Sequence, residues 1–557
     1  MGALLSRARA LPWARAARAY VALAALHALF KVWRRARVWR RFTAATRHLR
    51  GGQPDLLGAK LRQNRHRVLD FMHEELGPFP EDAVLLRSSP EAVLACNSRE
   101  SVKFILKDAF SQVTKPNSNF PIFSMLEEFL GQGIFVLRHG QGHAAEHELW
   151  VRQRKTASLI FTRGTMLTAM TETFMAKGRR LCEALEAVAA RNEAAAAARV
   201  APECVDMQAK FFSFTFDSIQ AVFFGREVNS VSGETDPYAQ AFDDAHEAML
   251  RHLFDTVPLR LAQRFLLPWP LGDVSESWPN SGLLHHVVNW QSREHATFHR
   301  NVAFLRAETA RIVRELRGDP KLAERRDMMA NFANAGDLGD EELSSLMLNM
   351  VIAGRDTTAC ALTWMLYELA INPDVQDAVA TEVASKLRGR DPTLADIEAS
   401  SLPLLNGALY ETLRLHPPVP VDVKVASADL TLPCGTLCPK GTLLMFSPYV
   451  MGRSERRYKD ALKFDPARWV PFVEPDQYDF PVFQAGNRIC LGMNMAKTEA
   501  KMLMAILLPR FRFALKEGEH SKITYTLSIT MGISNSADRK SRHLWIVPSK
   551  RAAVAVL

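Results

Sequence analysis

The chain has 557 residues, 48% hydrophobic and 23% charged, enough apolar material for a large core and an ordinary charge content for a globular protein. Its net charge of +10 is concentrated at one end: residues 1–54 carry twelve Lys or Arg and no acid, so the remainder is slightly negative and a basic nucleic-acid face along the fold is excluded. Seven scattered cysteines (Cys96, Cys182, Cys204, Cys360, Cys434, Cys438, Cys490), odd in number and without framework spacing, exclude a disulfide scaffold and point to a reducing compartment.

The chain opens with an uncharged run from Ala19 to Phe30, flanked by Arg18 and by Lys31, Arg34, Arg35 and Arg37. Its length corresponds to about 18 Å of helix, short of the roughly 30 Å hydrocarbon core of a bilayer. Residues 1–50 therefore read as a basic, hydrophobic membrane anchor, spanning with Trp13 and Trp33 at the interfaces or lying along one. A cleaved transit peptide is the alternative. Beyond Gly51-Gly52-Gln53-Pro54 no linker divides the chain, and residues 55–557 read as one domain, mainly α with a small β region.

Short β-like and helical runs alternate as far as Phe110. A glycine-punctuated loop, Leu130 to Phe135, leads into a helix that sets Trp150 and Arg154 four apart on one face. From the residues alone these are a half-buried ring and an exposed cation. The alanine-rich run between Leu181 and Val200 reads as an extended helix end or a surface insertion without chemistry. Helical periodicity continues from Gln208 to Gly225, Asn289 to Leu316 and Arg326 to Asn334, while Pro258 to Pro279, rich in Pro and Trp, reads as a loop near an entrance.

Asp340 caps the longest predicted helix, with acids in its first turn, and Asn372-Pro373 closes it after about 32 residues, or about 48 Å. Mid-course stands Ala353-Gly354-Arg355-Asp356-Thr357-Thr358, a poor helix sequence that predicts local loosening. Asp356 beside Thr357 is a candidate proton relay, because acid and hydroxyl each donate and accept. A kink with solvated polar residues explains the pattern equally well.

The next helix ends at His416-Pro417-Pro418 and holds Glu411 and Arg414 three apart. Exposed, the pair is worth little; buried, its loss costs about 3 to 5 kcal/mol. Val419 to Phe446 alternates like strands, so Val419, Val421 and Val423 share a face from which Lys424 points away. Cys434 and Cys438 lie around Gly435 with no second pair nearby, and read as hairpin residues rather than a metal site. Phe511 to Val547 is again strand-like, with a hairpin around Met531-Gly532 and Leu527, Ile529 and Met531 on one face.

The segment Pro481 to Met493 places Cys490 between Gly486 and Gly492, immediately before a helical run. The free N–H groups and dipole of that helix favour a thiolate. The two glycines would let backbone approach a flat cofactor and adopt left-handed angles, and Arg488 would reach an anionic group on the cofactor's rim. One thiolate with no second Cys or His close by suits a haem iron better than zinc. A buried free cysteine in a loop is the bland alternative.

This string resembles the Phe-x-x-Gly-x-Arg-x-Cys-x-Gly signature of the cytochrome P450 family, matched at Phe483, Gly486, Arg488, Cys490 and Gly492. The resemblance covers roughly residues 55–550 in the family's order. It implies the P450 fold in a single catalytic domain, with haem b bound around Phe483, Gly486, Arg488 and Gly492 and Cys490 as the iron ligand. It further implies Trp150 and Arg154 at a haem propionate, and Asp356 and Thr357 as proton donors in dioxygen activation. Glu411, Arg414 and Arg468, the last in Phe464-Asp465-Pro466-Ala467-Arg468-Trp469, would form a buried structural triad that holds the Cys490 loop.

The implied activity is a monooxygenase that takes O2, with electrons from NADPH-cytochrome P450 reductase or another donor, since no Gly-x-Gly-x-x-Gly after a strand offers a flavin or NAD site. Leu130–Phe135, Leu149–Ser158, Val421–Ala426 and Ser447–Arg453 are similar to plant and algal fatty-acid hydroxylases. That similarity implies a long-chain lipid, a fatty acid attacked at or near its omega end and lying along the two apolar trios. A sterol, carotenoid or terpenoid substrate is the alternative, and a non-catalytic haem sensor or carrier is the rival of another class. The intact Asp356-Thr357 speaks against a member that rearranges peroxides. Two departures stand out: Gln484 occupies a place where many members carry a small or polar residue, and the proline hinge after the anchor is reduced to Pro54. The expected location is the endoplasmic reticulum membrane, cytosolic face, or else a mitochondrion or plastid; nucleic acid is no partner.

Overall fold

The computed structural model describes residues 63–79, 84–85, 93–116, 121–249 and 293–551 apart from isolated positions, and part of the first sixty, including 40–47. Most of the expected anchor, and the Pro258–Pro279 loop, lie outside the described residues.

Helix α1 (Val68–Leu76) precedes strands β1 (Val84–Leu85), β2 (Val93–Ala95) and β3 (Val113–Thr114). Then come α2 (Pro121–Leu130), α3 (Ala144–Phe161), α4 (Gly164–Ala198), β4 (Val205–Asp206) and α5 (Met207–Phe224). A helix over 237–249 is next, and beyond it α6 (Arg293–Gly318), α7 (Met328–Ala335), α8 (Asp340–Ile371), α9 (Pro373–Leu387) and α10 (Pro403–Leu415). The chain continues through β5 (Asp422–Ala426), β6 (Leu430–Thr431), β7 (Leu437–Cys438), β8 (Leu443–Phe446) and α11 (Met493–Leu507), and ends in β9 (Phe511–Leu515), β10 (Thr524–Leu527), β11 (Met531–Ser534) and β12 (Trp545–Lys550).

Local chemistry sets several of these bounds. Asp206 accepts from the Gln208 N–H at 3.1 Å and so starts α5, which Gly225 stops at φ 61°. Asp327 accepts from the Ala330 N–H at 2.9 Å and starts α7. The cap of α8 is Gly339 rather than Asp340, and the Glu342 carboxylate accepts from its N–H at 3.0 Å. The alanine-rich run is the last part of α4, where Asn192 donates to the carbonyls of Glu203 and Pro548, each at 3.1 Å.

The loosening expected in α8 does not occur: the helix is continuous from Asp340 to Ile371. Gly354 has a packing reason instead, because a Cβ there would overlap Ile219 Cδ1 of α5, and the glycine lets the two helices cross closely. From Ser345 to Leu369 every residue of α8 is buried except Ala353, Gly354 and Thr357, so the helix runs through the core with one open patch.

The small β region is a five-stranded sheet in the order β1-β2-β8-β5-β3, in which only β2 and β8 pair in parallel, together with the sheet β4-β12-β9 and the hairpins β6-β7 and β10-β11. In the β10-β11 hairpin Leu527 pairs with Met531, so Met531-Gly532, expected at the turn, stand in strand β11 instead. Met531 is wholly buried: its N–H donates to the Pro418 carbonyl and its carbonyl accepts from Trp364 Nε1, both at 2.9 Å. It is therefore a core residue and not part of a pocket wall.

Residues 40–47 belong to the folded body. Phe42, 1% exposed, packs in one apolar cluster with Leu94, Ile105, Leu106 and Ala485, and Arg41 pairs with Asp429 at 2.6 Å. A boundary at residue 50 thus falls inside the packed structure. Among the described residues no helix is long and apolar enough to cross a membrane.

Candidate active site

Two 3-10 turns, Pro481–Phe483 and Gly486–Arg488, shape the loop that carries Cys490. Between them Gln484 takes φ 60° and ψ −171°, a backbone region strained for any residue but glycine, and its side-chain amide donates to Asp422 of β5. Gly486 is left-handed (φ 58°), and a Cβ would stand 2.6 Å from the Leu106 carbonyl oxygen, so only glycine fits. Gly492 is not left-handed: at φ −87° it caps α11, and a Cβ there would meet nothing within 4 Å.

The Cys490 N–H donates to the Phe483 carbonyl at 2.8 Å. The Cys490 side chain itself is exposed, although protein surrounds the position. That burial raises the thiol's pKa, while the Gly492 N–H, Arg154 and Lys497 lower it. No group of three His, Cys, Asp or Glu among the described residues is placed to hold a metal, so Cys490 would act as a lone protein ligand.

A cluster of cations stands behind this loop. Arg488 lies 4.2 Å from the Trp150 ring centroid and donates to the carbonyls of Ile134 (3.2 Å) and Leu137 (3.0 Å) and to His139 Nδ1 (2.8 Å). Arg154 donates to the Ile489 carbonyl at 2.8 Å and also faces the Trp150 ring, at 5.5 Å. Lys115 bonds the Phe135 carbonyl, and Lys424 pairs with Asp422 at 2.5 Å. Burial, then the neighbouring charges of Arg488 and Lys424, push the Lys115 ammonium well down. Burial and Arg154 bring Arg488 to about 9, and burial with Arg488 and Lys424 takes His139 to about 2. Four cations thus face one carboxylate, an excess that fits a ligand bearing two carboxylates, as haem b does. The motif residues Trp150, Arg154 and Arg488 meet here. Lys115, His139 and Lys424 complete the cluster, and no sequence signal marked them beyond the parity that turns Lys424 away from the valines.

A second polar centre is a buried carboxylate with every lone pair used. Glu411 receives Arg414 Nε at 2.8 Å and Nη2 at 2.7 Å, Trp469 Nε1 at 2.9 Å, the Asp465 N–H at 3.0 Å and Arg468 Nε at 3.3 Å. Arg414 also donates to the carbonyls of Gly452, Ala461 (2.6 Å) and Lys463 (3.1 Å). Both Glu411 and Arg414 are fully buried, so the pair is the strong form of the motif.

Asp356 and Thr357 face different surroundings. Thr357 belongs to the open patch of α8, and its hydroxyl donates to the Ala353 carbonyl at 2.5 Å. Asp356 is fully buried, with Arg355 Nη1 at 3.3 Å and His246 Nδ1 at 3.1 Å.

A lone loop cysteine before a helix N-terminus, backed by a cation cluster matched to two carboxylates, defines a haem-thiolate protein. The family model for Cytochrome P450 matches residues 55–537, and the chain belongs to the cytochrome P450 family. It is 30% identical over 482 residues to cytochrome P450 CYP94D108 of Paris polyphylla, covering 84% of this chain and 87% of that one. It is 28% identical to cytochrome P450 94A2 of Vicia sativa (84% and 86% covered) and 29% identical to cytochrome P450 86B1 of Arabidopsis thaliana (80% and 76% covered). With the family come haem b, O2, a redox partner, a hydrophobic substrate and monooxygenase chemistry.

Proposed function

We propose that the protein hydroxylates a free long-chain fatty acid at or near its omega end, taking electrons from NADPH-cytochrome P450 reductase. We place it at the cytosolic face of the endoplasmic reticulum membrane, held there by the basic leader. The observation that carries the substrate reading is the division of β5 into two faces. Val421 and Val423 lie on one face, and Val419 precedes them; all three keep part of their surface open. The buried pair Asp422 and Lys424 lies on the other, with the cation cluster. The valines offer an apolar surface without a charge, and the open patch of α8, Ala353, Gly354 and Thr357, carries none either. Each methylene sequestered there contributes roughly 0.8 kcal/mol, so a dozen carbons offset the cost of ordering the chain.

Haem b, when bound, supplies reduction of O2 with two electrons and two protons, one oxygen atom passing into a C–H bond and the other leaving as water. The chain's own groups do the rest. Cys490 would serve as ligand; burial raises its thiol pKa, and the Gly492 N–H, Arg154 and Lys497 oppose that rise. Lys115, Arg488, Lys424 and Arg154 would hold the propionates. Asp356 and Thr357 would relay protons, the Thr357 hydroxyl on the open side of α8. The test is mass spectrometry of products after incubating the full-length protein with reductase, NADPH and free fatty acids of graded length. Near-terminal monohydroxy acids are expected. Products from ring substrates alone, with no spectral shift on adding any fatty acid, would refute the assignment.

A further inference from the structure

The loop from Leu130 to Phe135 runs between α8 and the cations behind Cys490, and its backbone is bonded on both sides. Towards α8, Asn349 uses its whole amide: Nδ2 donates to the carbonyls of Leu130 at 2.8 Å and Ser345 at 2.7 Å, and Oδ1 accepts from the Phe135 N–H at 3.1 Å. One turn earlier the Ser345 hydroxyl accepts from the Gln132 N–H at 3.2 Å. Two glycines make this approach possible. A Cβ at Gly131 would overlap the Ser345 hydroxyl, and one at Gly133 would overlap the Asn349 amide. Towards the cations, the carbonyls of Ile134 and Leu137 accept from Arg488, and that of Phe135 accepts from Lys115. The two sides meet in one residue: the Phe135 N–H is held by α8, and its carbonyl holds Lys115.

Asn349 is wholly buried. Burial of an amide is offset only while its hydrogen bonds are made, so these three bonds fix where the loop backbone stands. A guanidinium and an ammonium, in turn, are aimed by the carbonyls that accept from them. We propose that Asn349 is a positioning residue of the haem site: by fixing the loop against α8 it sets the carbonyls of Ile134 and Phe135, and through them the way Arg488 and Lys115 are presented to the propionates. The proposal rests on the reading that these cations hold the propionates, and it names the residue that aims them. A purely structural role, in which Asn349 does no more than cap Leu130 at the end of α2, would lower stability and leave the propionates as they are.

The test compares full-length ferric haem protein with Asn349→Ala and with a control, Gln376→Ala, that removes another wholly buried amide. Gln376 Nε2 donates to the carbonyls of Leu369 and Phe513 and its Oε1 accepts from the Phe513 N–H, all at 2.9 Å, and none of these partners belongs to the cation cluster. Both variants are expected to lose stability to urea. Only Asn349→Ala is expected to pass its haem several-fold faster to apomyoglobin and to shift the propionate bending bands of the resonance Raman spectrum. Ser345→Ala, which frees one N–H of the same loop, should shift those bands less and in the same direction. Haem loss and propionate bands in Asn349→Ala that match those of Gln376→Ala overturn the proposal. If Asn349→Ala fails to fold, Ser345→Ala decides alone, and unmoved bands overturn the proposal. Lys115→Met separates the two readings: if it shifts the bands while Asn349→Ala and Ser345→Ala leave them unmoved, the propionates lie at the cluster and only the part given to Asn349 fails. If no variant moves the bands, the reading of the cluster falls, and the proposal with it.

Discussion

At Cys490 burial opposes ionisation while the Gly492 N–H, Arg154 and Lys497 favour it, and a bound iron would decide the balance for the thiolate. Reduced protein under carbon monoxide is expected to show the strongly red-shifted Soret band of thiolate-ligated haem; a histidine-type spectrum in well-folded wild type would remove Cys490 as the ligand. Nine residues on, Glu499 is buried in α11 with Ser218 as its one polar neighbour of note, and burial lifts its pKa to about 8 against the weaker effect of that hydroxyl. Folded protein therefore holds a proton that the unfolded chain has already lost above its ordinary pKa near 4.5. Stability should fall as pH rises from about 4.5 to about 8, at up to about 1.4 kcal/mol per unit, and level off above. Urea midpoints across this range are expected to lose that slope in Glu499→Gln. Thr357→Ala should keep haem and fold yet divert NADPH to peroxide, since it removes one hydroxyl from the open patch of α8. Unchanged coupling would leave Thr357 a helix residue and no more.

The close crossing of α5 and α8 depends on Gly354, and Ile219, against which a new methyl would press, is wholly buried. Gly354→Ala should cost about 1–3 kcal/mol by chemical denaturation, and Ile219→Ala in the same chain should recover part of that loss. A double variant no better than the sum of the singles would place the glycine's role elsewhere. In α10, Glu411→Gln leaves Arg414 buried without its counter-charge, for a loss of about 3–5 kcal/mol together with poor haem retention. At this scale the sequence was readable where chemistry demands fixed residue types at short spacing, as in the Cys490 loop and the Glu411–Arg414 turn. It was unreadable where partners come from distant segments. Nothing near Lys115, His139 or His246 reveals which helix or strand will lie against it, and the bulk of Ile219, which explains Gly354, belongs to another element altogether. The poor helix sequence at 353–358 suggests local loosening because local propensity is all that the segment itself carries; burial on nearly all sides keeps the helix continuous instead.

For the molecule as a whole, the leader and the catalytic body meet earlier than charge and hydropathy indicate, because the packing of Phe42 depends on strands and loops hundreds of residues away. Deleting residues 1–37 is expected to release the protein from membranes with its carbon monoxide spectrum intact, whereas deleting 1–47 should also lower thermal stability. Phe42→Ala alone, costing about 3–5 kcal/mol, is expected to reproduce that second effect without releasing the protein. Soluble protein in the Phe42→Ala sample, or equal stability of the two truncations, would contradict the assignment. Phe42 shares its cluster with Ala485, a residue of the thiol loop itself. The consequence is a rule for splicing: if the leader is the proposed membrane address, a foreign leader grafted upstream of residue 38 exchanges that address for another, while a graft joined at residue 50 also rewrites the wall on which the thiol-bearing loop is set.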